Sequence, residues 1–176
     1  ALPFLPLLPL QILLNNLLYD LSEIGIPFDS VDDEDTMCPH AWDMKAILHF
    51  TIVMGIVSSV FDAATFLILL KGFGTDAAQF QTGWFLESIA TQILVIFLIR
   101  TRRTPWRATP AHMALVVTSL GALGAAVLLV TSPLQQLFGF VPLSWPLIGA
   151  MAGVTAAYLA AAEAAKHFAL HGSKPA

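Results

Sequence analysis

Cysteine is nearly missing from these 176 residues, and the single Cys38 excludes a disulfide framework and any four-cysteine zinc site. Charge is scarce as well. Asp, Glu, Lys and Arg make up 11% of the chain, against about 25% in an average globular domain. With 57% apolar residues and a mean hydropathy of +0.76, too little polar surface remains to cover a water-soluble body, so the composition specifies an integral membrane protein. The net charge of −4 excludes a basic nucleic-acid binder. No Walker A loop, nucleotide-binding glycine triplet, Gly-x-Ser-x-Gly elbow or His-Glu-x-x-His occurs, and the five His residues lack ligand spacing. No basic region precedes the first apolar run, so no secretory signal is read. The chain begins at Ala1, already inside that run, and is read as a piece of a longer polypeptide.

What is present in quantity is long apolar sequence. Five stretches, at about 2–26, 46–70, 80–99, 113–130 and 143–165, are each about 20 residues long, enough for a helix to cross a ~30 Å hydrocarbon core. None alternates as a barrel strand would. The expected fold is therefore an all-α membrane protein of five transmembrane helices, forming one domain over residues 1–176. The connections carry the charge: an acidic one with Asp29, Asp32, Asp33, Glu34, Asp35 and Asp43, a short turn with Gly72 and Gly74, a basic one starting at Arg100, an uncharged one around Ser132-Pro133, and a tail with Lys166 and Lys174. Five crossings put seven of the eight basic residues on one side and only Lys71 on the other. The positive-inside rule makes the seven-residue side cytoplasmic, with the N-terminus outside and the C-terminus inside.

Ionisable groups inside membrane helices are costly and so mark candidate functional positions. The first stretch is densest, with Asn15, Asn16, Asp20 and Glu23. Asn16, Asp20 and Glu23 fall within about 60° of one another on a helix. Oxygen ligands on one stripe suit a hard cation such as Mg²⁺ or Ca²⁺. The alternative is that Asn16 bonds a neighbouring helix and the two acids reach water. Pro9 is expected to kink this helix, and Gly25 and Pro27 to end it. Asp62 in the second stretch is read as a carboxylate bonded inside the bundle. In the third, Glu87 is expected near the outer end and hydrated. Gln92, roughly 140° from it on the helix and so on a different face, is expected either to face a cation site or to bridge helices.

The remaining features are read as structural. Gly149, Gly153, Ala157, Ala161 and Ala165 form a small-residue stripe suited to helix packing. Trp84, Trp106 and Trp145 sit near segment ends, as in an interfacial aromatic belt. Cys38-Pro39-His40 is similar to the intramembrane metal motif of heavy-metal pumps, but here it falls in an acidic connection and is rejected. The run Asp32–Asp35 is read as a solvated turn.

Leu5-Pro-Leu-Leu-Pro-Leu-Gln-Ile-Leu-Leu-Asn-Asn-Leu-Leu-Tyr-Asp20 resembles the sixth membrane helix of P-type cation ATPases, whose pattern is Pro-x-Gln-Ile-Leu-x-x-Asn-Leu-x-x-Asp. The continuation through Gly25, Pro27 and Asp29, with Ser58-Ser-x-Phe-Asp62, Phe80-Gln-x-Gly-Trp-Phe85, Gln92 and Ile99-Arg-Thr-Arg-Arg103, is similar to the bacterial magnesium-transporting branch. The resemblance is specific from Leu5 to about Arg103 and rests on topology beyond it. It implies helices six to ten of a ten-helix pump in a bacterial inner membrane, with Mg²⁺ as the transported ion. It also implies that ATP is used by a part outside this sequence, where the Asp-Lys-Thr-Gly-Thr phosphorylation motif and the first five helices would lie. The implied partners are the lipid bilayer and those missing helices and cytoplasmic domains. It places Asn16 and Asp20 on cation-ligand positions, with Glu23 and Gln92 as weaker candidates. Val95 stands where related pumps have a carboxylate. The alternatives are the same domain of a pump for Ca²⁺, H⁺ or Na⁺, or a five-helix accessory subunit that does not transport.

Overall fold

The computed structural model describes residues 4–30, 44–101 and 109–171. Asp32–Asp35, Cys38-Pro39-His40, Asp43, Trp106 and the basic residues Arg102, Arg103, Arg107 and Lys174 lie outside them. Every regular element among the described residues is helical: α1 (Pro9–Glu23), α2 (Met44–Leu67), α3 (Ala77–Ile99), α4 (Met113–Thr131) and α5 (Trp145–His171). Four helices are long and apolar enough to cross a membrane, namely α2 with its extension to Gly72, α3, α4 and α5. At 15 residues, α1 spans only about 22 Å.

The shortness of α1 has a local cause. Pro9 does not kink the helix as expected. It occupies the first helical position, where its missing N–H is one of the unsatisfied donors and its fixed φ suits the helix. Residues 4–8 are non-helical, and two glutamines satisfy their backbone. Gln11 accepts from the Leu8 N–H at 3.0 Å and donates to the Phe138 carbonyl at 2.9 Å. Gln81 donates to the Leu5 carbonyl at 2.8 Å. At the other end Gly25 and Pro27 do stop the helix, and Ile26–Phe28 forms one 3₁₀ turn. A Cβ on Gly25 would collide with the backbone of Ala114 and Leu115, so only glycine lets the end of α1 lie against the start of α4.

The remaining boundaries follow from capping. Asp76 accepts from the Gln79 N–H at 2.8 Å and starts α3 at Ala77, three residues before the apolar run begins. The short turn ahead of it closes with a π-turn over Ile68–Gly72 and Gly74 at φ +59°. Thr75 returns both its N–H and its hydroxyl to the Leu69 carbonyl. His112 Nδ1 caps α4. The uncharged connection forms a 3₁₀ segment, Pro133–Phe138, closed by Gly139 at φ +69°.

α3 is the centre of the bundle. It packs on α1, α4 and α5, while α1 also packs on α4 and α2 on α5. One apolar core joins Leu14 and Leu18 of α1, Phe85, Ile89 and Ile93 of α3, and Ala122, Ala126 and Val130 of α4. A second joins Leu69, Phe80, Leu147 and Met151. A helix with apolar contacts on several sides needs apolar residues all round, which is how α3 reads. Trp84 packs edge-on against Phe66 with centroids 4.5 Å apart. Trp145 is 84% exposed at the start of α5. The glycines of the small-residue stripe, Gly149 and Gly153, meet no neighbour.

Lys166, counted as a tail charge in the sequence, is instead buried within α5, which runs on to His171. Its Nζ donates to the Leu98 carbonyl at 3.0 Å and pairs with Glu163 at 2.7 Å. A cation thus sits at the C-terminal end of α3, where the helix dipole favours it.

Candidate cation site

The face of α1 that enters the bundle carries Gln11, Leu14, Asn15, Leu18 and Ser22. Asn16 and Asp20 lie on the other side of the helix, exposed, and no hydrogen bond or ion pair ties either to another described residue. They are exposed on an otherwise apolar face of α1, flanked by Leu13, Leu17 and Leu21, which are also open. Glu23, one turn beyond Asp20 on α1, is half-buried. With Tyr19, Asp29 and Arg100 it lines a pocket of about 230 Å³ at the end of the bundle.

Gln92 does bridge helices. Its Oε1 accepts from Asn15 Nδ2 at 3.1 Å and its Nε2 donates to Ser88 Oγ at 2.9 Å. Asn15, the neighbour excluded from the helical stripe, is thus the asparagine that faces the bundle, and its own Oδ1 is buried without a partner. Gln92 also lines a cleft of about 350 Å³ between α1, α2, α3 and α5, together with Asp62 and Glu87. Two expectations fail here. Glu87 is 4% exposed rather than hydrated, because it lies midway along α3 and not near its end. Asp62 is exposed and carries no hydrogen bond among the described residues, because α2 packs on α5 and leaves the α1 side open. Glu87 and Gln92 share the cleft despite their angular separation, since α3 forms its floor with Ser88 and Thr91 between them and Val95 beyond.

At the same end as Glu23, the loop after α1 is tied to the end of α3. Arg100 donates through Nε to Asp29 Oδ2 and through Nη2 to Oδ1 at 3.0 Å, and the His112 N–H donates to Oδ1 at 2.8 Å. Burial pushes the Asp29 carboxyl up, but the Arg100 bonds, the His112 N–H and the Arg100 charge outweigh it and hold it below its ordinary range. This bond also places the first and third connections on one side, as the charge count required. The pairing of Asp29 with Arg100 and of Glu163 with Lys166 was not read from the sequence. For the second pair the i,i+3 spacing was the available signal.

Among the described residues no three His, Cys, Asp or Glu side chains converge as a metal site. The candidate positions for a cation are Asn16 and Asp20 on the open face of α1 and the polar cleft lined by Asp62, Glu87 and Gln92.

The chain matches the family model for the C-terminus of cation transporting ATPases over residues 4–168. It is 34% identical over 171 residues to the magnesium-transporting ATPase, P-type 1, of Escherichia coli K12, covering 95% of this chain and 19% of that protein. Two proteins of the same description from Salmonella typhimurium LT2 are 39% identical over 139 residues and 32% identical over 170. They are covered over 15% and 19% of their lengths, so the chain spans less than a fifth of these relatives. With an all-helical bundle matched almost end to end, the chain belongs to the C-terminal membrane domains of the P-type cation-transporting ATPases.

Proposed function

We propose that this chain is the membrane-domain portion of an ATP-driven Mg²⁺ transporter in a bacterial inner membrane, supplying part of the intramembrane cation site and helix-bundle support. The observation that carries this reading is the open stripe of Asn16 and Asp20 on an apolar helix. A carboxylate facing lipid is costly, so this face is covered by further helices, and a divalent cation held between them offsets the charge. Similarity to magnesium-transporting ATPases over 95% of the chain supports Mg²⁺ as the ion.

In this reading ATP phosphorylates an aspartate elsewhere in the protein, and the helices then alternate between inward- and outward-open states. Asn16 and Asp20 hold the ion from the α1 side. Mg²⁺ dehydrates reluctantly and keeps several waters, so two side-chain oxygens from α1 suffice, with the rest supplied by water and the covering helices. Glu23 and Gln92 are the weaker contributors: Glu23 along the path at the bundle end, Gln92 through the Asn15 bond that fixes the rotation of α1.

The fifth crossing is part of the proposal. It is α1 with its extended lead-in, Phe4 to Leu8, whose backbone groups at Leu5 and Leu8 are bonded by Gln81 and Gln11. Broken helices are tolerated in a bilayer when their freed backbone groups are satisfied in this way. The N-terminal end of α1 is outside and the end of α5 is cytoplasmic.

Expression of the full-length protein in a bacterium stripped of its Mg²⁺ uptake systems tests the assignment. Growth is restored in Mg²⁺-limited medium if the reading is right. Protein present in the membrane with no growth and no Mg²⁺ uptake contradicts it.

A further inference from the structure

The cleft between α1, α2, α3 and α5 is lined by a second set of oxygen-bearing side chains, apart from the open stripe on α1. Glu87 is 96% removed from solvent by its 4% exposure, lines the cleft, and has no hydrogen-bond partner for its carboxylate among the described residues. A carboxylate this buried with no donor beside it is costly unless water or a cation in the cleft replaces its lost hydration. Across the cleft stands Asp62, equally unbonded. Two carboxylates facing one cleft repel each other. Among the described residues no Lys, Arg or His lines the cleft to neutralise them.

Around the pair the lining is rich in neutral oxygens. Ser58 Oγ and Tyr158 OH are 3.1 Å apart and bonded to each other across α2 and α5, and Ser88 accepts from Gln92. Hydroxyls that already share hydrogen bonds suit contact with the water shell of an ion better than direct ligation. The volume agrees. At about 30 Å³ per water, the 350 Å³ cleft accommodates a Mg²⁺ with its six waters and leaves room for the surrounding contacts. Mg²⁺ keeps its waters where the protein offers few direct ligands, and two carboxylates match its charge.

We propose that Asp62 and Glu87, with the hydroxyls of Ser58, Ser88 and Tyr158, form a binding site for a hydrated divalent cation, distinct from the Asn16 and Asp20 stripe. The site rests on its own geometry and does not require that Asp20 be a transport ligand.

The test uses the full-length protein in lipid nanodiscs, without ATP. Dicyclohexylcarbodiimide, which modifies intramembrane carboxyls, is applied to the wild type and the labelled residues are read by mass spectrometry. Glu87 is labelled in the absence of Mg²⁺ and at least tenfold less at saturating Mg²⁺, while choline of equal ionic strength gives no protection. In equilibrium Mg²⁺ binding, Asp62→Asn and Glu87→Gln each lose one bound ion per protein, and Asp20→Asn retains that ion. Labelling of Glu87 that follows pH but ignores Mg²⁺ indicates a proton shared by the two acids and overturns the proposal. So does an unchanged Mg²⁺ count in both variants. Because the labelling is done on the wild type, a variant that fails to fold leaves the question answerable. Failure of Asp20→Asn to alter transport removes the α1 stripe and leaves this site standing.

Discussion

At the scale of single residues, the firmest polar interaction is that of Asp29 with Arg100 and the His112 N–H. The Asp29 carboxyl is held below its ordinary value, so its contribution to stability is complete above the unfolded value, about 3.9. It is lost as pH falls through the lower folded value. Asp29→Asn is expected to lower stability at neutral pH by about 2 kcal/mol, the scale of a charged hydrogen bond. It should also flatten the acid limb of the stability profile, which thermal unfolding of the purified protein across pH would read. An unchanged acid limb removes Asp29 from this role. Gly25 is a second residue with a definite prediction. Gly25→Ala forces the loop off the α4 backbone and is expected to cost about 2 kcal/mol. Thermal unfolding again measures it, and a loss comparable to an ordinary surface Gly→Ala change would show that the close approach carries no weight.

At the scale of elements, the long apolar runs were legible because length and composition alone define a crossing helix. Four of the five expected spans became such helices. The first did not, since periodicity says nothing of whether a proline sits inside a helix or starts it, and Pro9 starts it. Which asparagine faces the bundle was not legible either. Adjacent positions differ by about 100°, and only the packing of α1 against α3 and α4 selects Asn15. The exposure of Asp62 is not legible for a similar reason: its position along α2 sets its depth but not the direction in which α2 turns it. Lys166 was read as a tail charge, although it caps α3 from within α5. Lys166→Met is expected to cost about 3 kcal/mol, because it removes the buried cation beside Glu163 and leaves that carboxylate only His167, 3.2 Å away. The double change Lys166→Met with Glu163→Gln should recover part of that. Equal losses in the single and double variants would mean the pair is not coupled. Five crossings require the two ends of α1 to lie on opposite sides. In full-length protein stripped of other cysteines, Leu5→Cys and Thr75→Cys should react with an impermeant maleimide in intact cells. Cys38 should react only after permeabilisation. Leu5→Cys and Cys38 reacting from the same side would show that α1 does not cross.

At the scale of the whole molecule, polar groups are distributed unevenly. Asn16, Asp20 and Asp62 open outward from apolar helices, α2 is the least buried of the spans, and the matched relatives extend over more than four times this length. α3 holds this bundle together, and in the proposed reading the outward face of α1 presents its ligands to further helices. The most direct measurement is the Mg²⁺ dependence of ATP hydrolysis by the full-length protein carrying Asp20→Asn, with Asn16→Ala beside it. The account predicts that Asp20→Asn abolishes Mg²⁺-dependent activity in a protein that still folds in the membrane, and that Asn16→Ala raises the Mg²⁺ concentration needed at least tenfold. Wild-type activity with unchanged Mg²⁺ dependence in Asp20→Asn would contradict it.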